Sequence, residues 1–88
     1  MKSKRTLRKP GAELRQTLAT NIRLLRLGLG VSQEELADRC SLHRTYVGAI
    51  ERAERNVTLS TLEVFSKALG VSVPNLLTPR SQRHDRKE

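Results

Sequence analysis

The sequence predicts an all-α domain of five short helices, and three observations carry that expectation. Apolar residues recur at spacings of three and four, residues that end helices fall between those runs, and no segment alternates apolar and polar residues as a half-buried strand does. With 88 residues there is room for one modest core, and most apolar residues fall between Leu14 and Leu77.

The first helix is expected from Ala12 to Leu27. Leu14, Leu18, Ile22, Leu25 and Leu29 follow one another at spacings of four, four, three and four, which puts them on one stripe. Gly28 and Gly30 are expected to end it. Ser32 and Glu35 then have the spacing of a capping box, which starts a second helix at Gln33 with Leu36, Ala37 and Cys40 on its apolar face. Ser41 falls at a turn that wants a left-handed residue, a conformation glycine adopts more cheaply. A third helix is expected from about Arg44 to Arg52, with Val47 and Ile50 inward. His43 stands at its N-cap, where Ser, Thr, Asp or Asn is usual, so the sequence predicts a helix without an ordinary cap.

Two helices joined by about three to four residues cross steeply, which is the helix-turn-helix geometry and leaves the second helix able to enter a DNA major groove. Beyond them, Asn56-Val57-Thr58 breaks the pattern, and either Thr58 or Ser60 can cap a fourth helix that turns Leu62, Phe65, Ala68 and Leu69 inward before Gly70 stops it. A last helix is expected from Val73 to Leu77, capped by Ser72 with Pro74 in its first turn. The expected organisation is a flexible basic arm over 1–11, a helical domain over 12–78 and a charged, disordered tail over 79–88.

The net charge of +8 is placed unevenly. Residues 1–10 carry Lys2, Lys4, Arg5, Arg8 and Lys9 without an acid, and residues 80–88 carry Arg80, Arg83, Arg86 and Lys87 against Asp85 and Glu88. Residues 11–79 hold eight basic and seven acidic side chains, so the helical part is nearly neutral. The ends suit phosphate backbones, or are solvated tails with no specific role; sequence readout has to come from the middle.

Several function classes find no support. There is no Ser/His/Asp set and no phosphate-cradling glycine loop, and His43, His84 and Cys40 lack metal-ligand spacing, so neither an enzyme nor a metal or cofactor site is expected. Cys40 has no partner for an internal disulfide and reads as a small buried hydrophobe. No apolar run approaches the roughly 20 residues of a membrane span and no secretory apolar region follows the basic start, which predicts a cytoplasmic chain. No segment offers a seat for a small-molecule effector.

At the start of the third helix, Arg44 carries a planar fork of donors suited to guanine O6 and N7. Thr45 offers a hydroxyl to phosphate or a methyl to thymine, and Tyr46 either reaches a phosphate or packs as a core aromatic. Ala49, four residues beyond Thr45, is placed to touch a thymine methyl or to pack as a small residue. His43 is a candidate phosphate contact, stronger when protonated.

The strings SQEELADRC, RTYVGAIERAERN and LSTLEVFSKALGVSVPNLL resemble the phage-repressor-like, xenobiotic-response-element class of helix-turn-helix regulators over roughly Ala12 to Leu77. The stretch LHRTYVGAIERAERNVTLSTLE looks like the controller proteins of restriction-modification systems, small dimeric regulators that bind operators upstream of their own genes. The resemblance implies a five-helix, lambda-repressor-like DNA-binding domain that acts on double-stranded DNA as a homodimer. It implies a phosphate contact for Gln33, base and backbone contacts for Arg44, Thr45 and Tyr46, and phosphate contacts for Arg52, Arg55 and Asn56. Arg26 and Glu51 match a charged pair that links the ends of the first and third helices, which orients more than it stabilises because desolvation offsets much of the attraction. Val73, Leu76 and Leu77, with Val57 and Leu59, match the dimer face, or else close the monomer core. The alternative function is an antitoxin of the same fold that binds a toxin protein and its own promoter.

Overall fold

The computed structural model describes residues 11–80. Its elements are α1 (Ala12–Leu29), α2 (Gln33–Cys40), α3 (Arg44–Glu51), α4 (Leu59–Leu69) and α5 (Val73–Leu76), with no strand among the described residues. The five-helix expectation therefore holds. Most of the predicted basic arm (1–10) and most of the charged tail (81–88) lie outside the described residues.

The helix ends follow local chemistry. Ser32 and Glu35 form the predicted capping box: the Glu35 amide donates to Ser32 Oγ at 3.0 Å and the Ser32 amide to Glu35 Oε1 at 2.8 Å. Ser41 is left-handed at φ 56°, and the next amide, Leu42, returns to the Ala37 carbonyl at 2.8 Å. Of the two candidates before α4, Thr58 is the cap, its Oγ1 accepting the Thr61 amide at 3.1 Å. Ser72 caps α5 by accepting the Asn75 amide at 3.2 Å.

Helix α1 differs from the sequence reading in two ways. It runs through Gly28 to Leu29, and only Gly30 is left-handed, at φ 73°. A glycine stops a helix when its backbone leaves the helical region, and Gly28 stays helical with open space around its Cα. The leucine stripe is also shorter than expected: Leu18 and Ile22 are buried and Leu25 half-buried, while Leu14 and Leu29 are 42% and 50% exposed. In this 18-residue helix the apolar stripe is covered only in its middle, and its first and last leucines stay open to solvent.

The core gathers Leu18 and Ile22 of α1, Leu36, Ala37 and Cys40 of α2, Val47 and Ile50 of α3, and Leu62, Phe65 and Leu69 of α4. Phe65 is fully buried; Ala68, expected inward with it, is half-buried at the edge. Burial raises the Cys40 thiol pKa, as fits a small hydrophobe in an apolar setting. Leu76, which the resemblance assigned to a dimer face, is 0% exposed and belongs to this core. In a four-residue helix it is the buried leucine that docks α5 onto α1 and α4, so it is spent inside the monomer.

A buried polar side chain fixes that docking. Asn21 of α1 donates through Nδ2 to the carbonyls of Leu76 and Thr78, both at 2.9 Å, and of Asn75 at 3.4 Å. These oxygens lie at the end of α5, where a helix leaves its last carbonyls without partners.

Candidate nucleic-acid interface

Helices α2 and α3 are joined by Ser41, Leu42 and His43, and α3 is held between α1 and α2. The short joint and the two covering helices give α3 an unequal exposure along its length. Arg44 and Thr45 are exposed and Tyr46 half-buried, whereas Val47, Gly48, Ala49 and Ile50 are four consecutive buried positions. Only the first turn of α3 is therefore free to approach a large partner.

This bears on Ala49, which the sequence left open between a thymine contact and a small packing residue. Its spacing from Thr45 places it on a neighbouring part of the helix surface, yet it retains only 8% exposure, so most of its methyl is covered by protein. A helix wedged between two others buries a wider stripe than an amphipathic surface helix does.

His43 supplies the cap that the sequence left without an ordinary residue. Its Nδ1 accepts the Thr45 amide at 3.1 Å from an extended backbone at φ −80°, ψ 141°. The bond requires Nδ1 to be unprotonated, which puts the ring proton of the neutral side chain on Nε2. A doubly protonated ring, the form expected to grip phosphate more strongly, gives up the cap.

The far end of α3 is tied down by a charged network. Arg26 Nε lies 2.7 Å from Glu51 Oε2 and Nη2 lies 3.0 Å from Oε1, a two-pronged pair, while Nη1 donates to the Val31 carbonyl at 2.9 Å. The two side chains are 11% and 3% exposed. The hydrogen bond to the Glu51 carboxylate raises the Arg26 pKa above its ordinary value, against the opposing pull of burial. Gln33 Nε2 donates to the same Glu51 Oε1 at 3.0 Å, so the first residue of α2 and the last of α3 share one carboxylate. The resemblance paired Arg26 with Glu51, and the structure forms that pair; nothing in the spacing showed that Gln33 joins it.

The chain after α3 turns sharply at Ala53, which is left-handed at φ 62°, with the Glu54 amide returning to the Ala49 carbonyl at 2.9 Å. Arg52, Arg55 and Asn56 are all exposed around this turn. Arg52 pairs with Glu54 at 3.2 Å, Arg55 stacks over the Tyr46 ring at 5.3 Å, and Asn56 Oδ1 accepts from Arg15 Nη1 at 3.5 Å. Tyr46 thus has its ring partly packed and covered by a cation, between the two roles its sequence position allowed.

On the expected dimer face, Leu59 is 78% exposed, and Val57, Val73 and Leu77 are half-buried. Leu59, Val57 and Leu77 join Leu14, Leu18 and Leu62 around an apolar groove of about 230 Å³. Among the described residues no helix is long and apolar enough to cross a membrane, and no group of three or more His, Cys, Asp or Glu could hold a metal.

Comparison with known proteins agrees with this architecture. The helix-turn-helix family profile matches residues 22–76. Control protein C.SmaI of Serratia marcescens is 49% identical over 73 residues, covering 83% of this chain and 87% of that protein. The crystal structure of the hypothetical transcription factor NHTF from Neisseria superposes with a TM-score of 0.78 at 47% identity, over 89% of this chain and 91% of that one. The restriction-modification controller protein C.AhdI from Aeromonas hydrophila gives 0.68 at 37% identity, over 70% of this chain and 94% of that one. With a helix pair joined by three residues at its centre and relatives of this kind over most of its length, the chain belongs to the helix-turn-helix family of DNA-binding transcription regulators.

Proposed function

We propose that this protein is a restriction-modification controller that binds a palindromic operator as a homodimer, with the first turn of α3 as its reading head. The observation that carries the proposal is the abrupt change along α3 from exposed Arg44 and Thr45 to four buried residues, in a chain 49% identical to a control protein. Arg44 reads guanine through its forked donors, and Thr45 contacts thymine or phosphate. Tyr46, held under Arg55, places its hydroxyl toward the backbone. His43, through Nε2–H, Gln33, through its second amide hydrogen, and Arg52, Arg55 and Asn56 grip phosphates on either side. The Arg26–Glu51 pair fixes the angle at which α3 is offered.

One such head reads a half-site, and two-fold symmetry supplies the second about one DNA turn away. Leu59, with Val57 and Leu77 about the apolar groove and with half-buried Val73, forms the dimer face in this reading; an exposed leucine beside an apolar groove is the surface a second copy would cover. The antitoxin alternative has no observation of its own behind it.

Selection from a pool of random duplexes tests the proposal. A palindrome should be enriched, and its guanine preference should disappear in Arg44→Ala; an unchanged preference in that variant removes Arg44 as the reader. Sedimentation should show a dimer that Leu59→Glu converts to monomer, and a Leu59→Glu chain that still sediments as a dimer would move the interface elsewhere. Deleting the basic residues 2–9 should weaken all sequences alike and flatten the salt dependence.

A further inference from the structure

Gly48 stands in the middle of α3, a place where glycine is among the poorest of helix formers. It is buried, but not by the core: the atoms over it belong to two polar side chains. A Cβ built there would lie 3.2 Å from Arg52 Nη1 and 3.4 Å from Gln33 Oε1. Two potential phosphate donors from different helices therefore fold over the same bare stretch of backbone. Each is held from its other side, Gln33 by Glu51 at 3.0 Å and Arg52 through Nε by Glu54 at 3.2 Å. The anchoring leaves one amide hydrogen of Gln33 and the outer guanidinium nitrogens of Arg52 for a ligand.

We propose that Gly48 is a positioning residue for DNA backbone contact: the side chain it lacks leaves the space over α3 in which Gln33 and Arg52 converge as paired donors to one phosphate. The inference rests on the DNA-binding reading and adds to it a residue that never touches DNA. An alanine methyl at 3.2 Å from the guanidinium pushes Arg52 outward by a few tenths of an ångström, while its 3.4 Å to the Gln33 amide oxygen is ordinary contact, so Arg52 moves away from the aim it shares with Gln33. Backbone contacts carry no base information, so the loss falls equally on all sequences.

The test uses the full chain, a fluorescent duplex carrying the selected operator and a second duplex of unrelated sequence, titrated over a salt series, with thermal melts alongside. Gly48→Ala should melt at or above the wild-type temperature, since alanine favours the helix, yet bind both duplexes on the order of tenfold more weakly. The slope of log affinity against log salt should become shallower by about 0.9, the release of one phosphate's counterions. Arg52→Ala, at an exposed position that does not threaten folding, should give the same loss and slope, and the double variant should be no weaker than Arg52→Ala alone. Wild-type affinity and slope in Gly48→Ala overturn the inference while leaving the regulator reading intact, as does a double variant whose losses add. A wild-type chain that binds neither duplex overturns the regulator reading, and this inference with it.

Discussion

Helix α1 carries two buried polar side chains, Asn21 and Arg26, and each reaches a different end of the domain. Arg26 holds the α3 end by a charge on another side chain, Glu51; Asn21 holds the α5 end using backbone carbonyls alone. The first hold can be broken from either partner and leaves a buried charge behind. The second has no partner side chain to lose. A buried ionic tie is therefore costly to break but contributes little net stability, while a neutral tie to backbone costs less to break and keeps a modest net gain.

The largest expected effect tests the ionic side. Glu51→Ala strands the Arg26 guanidinium and frees Gln33, and should destabilise the domain by about 3–5 kcal/mol in urea unfolding. An effect under about 1 kcal/mol would mean that water already reaches the pair. Asn21→Ala should cost about 1–3 kcal/mol by leaving the last carbonyls of α5 unpaired, with the loss concentrated in hydrogen-exchange protection of α5. Protection lost evenly over all helices would contradict a tie confined to that end.

Arg44→Ala provides the contrast of an exposed arginine with the buried Arg26. Unfolding should shift by no more than about 0.5 kcal/mol, while discrimination at the guanine position falls by about 1–3 kcal/mol. A stability loss like that of Glu51→Ala would place Arg44 in the fold instead of on DNA. The smallest effect concerns backbone strain, which is also unequal between the two ends: the turns after α2 and α3 use left-handed Ser41 and Ala53, whereas those after α1 and α4 use Gly30 and Gly70. Ala53→Gly should stabilise by up to about 1 kcal/mol, read as a raised melting temperature. A lowered one would show that the αL cost is outweighed by alanine's stiffer unfolded chain.

What the sequence made legible is what short-range chemistry decides. The caps at Ser32, Thr58 and Ser72, the left-handed Ser41 and the inward Leu36, Val47, Ile50 and Phe65 all follow from spacings of a few residues. The end of α1 was misplaced because a glycine announces a possible exit and not a used one. Leu76 was left open between a dimer face and the monomer core because a four-residue helix has too few positions to show which face is buried. Asn21 could not be read at all: its partners are carbonyls 54 to 57 positions away, and every residue type has one. The site divides in the same way. Arg44, Thr45 and Tyr46 could be put forward from their place at a helix start, but the convergence of Gln33 on Glu51, the covering of Ala49 and the polar side chains over bare Gly48 exist only once α2 lies across α3.

The tie between Asn21 and the end of α5 also orders events during synthesis. Nothing downstream of Asn21 can satisfy that amide as the structure does until the chain has been extended as far as Thr78. Docking of α5 on α1 therefore waits on a contact between residues 57 positions apart.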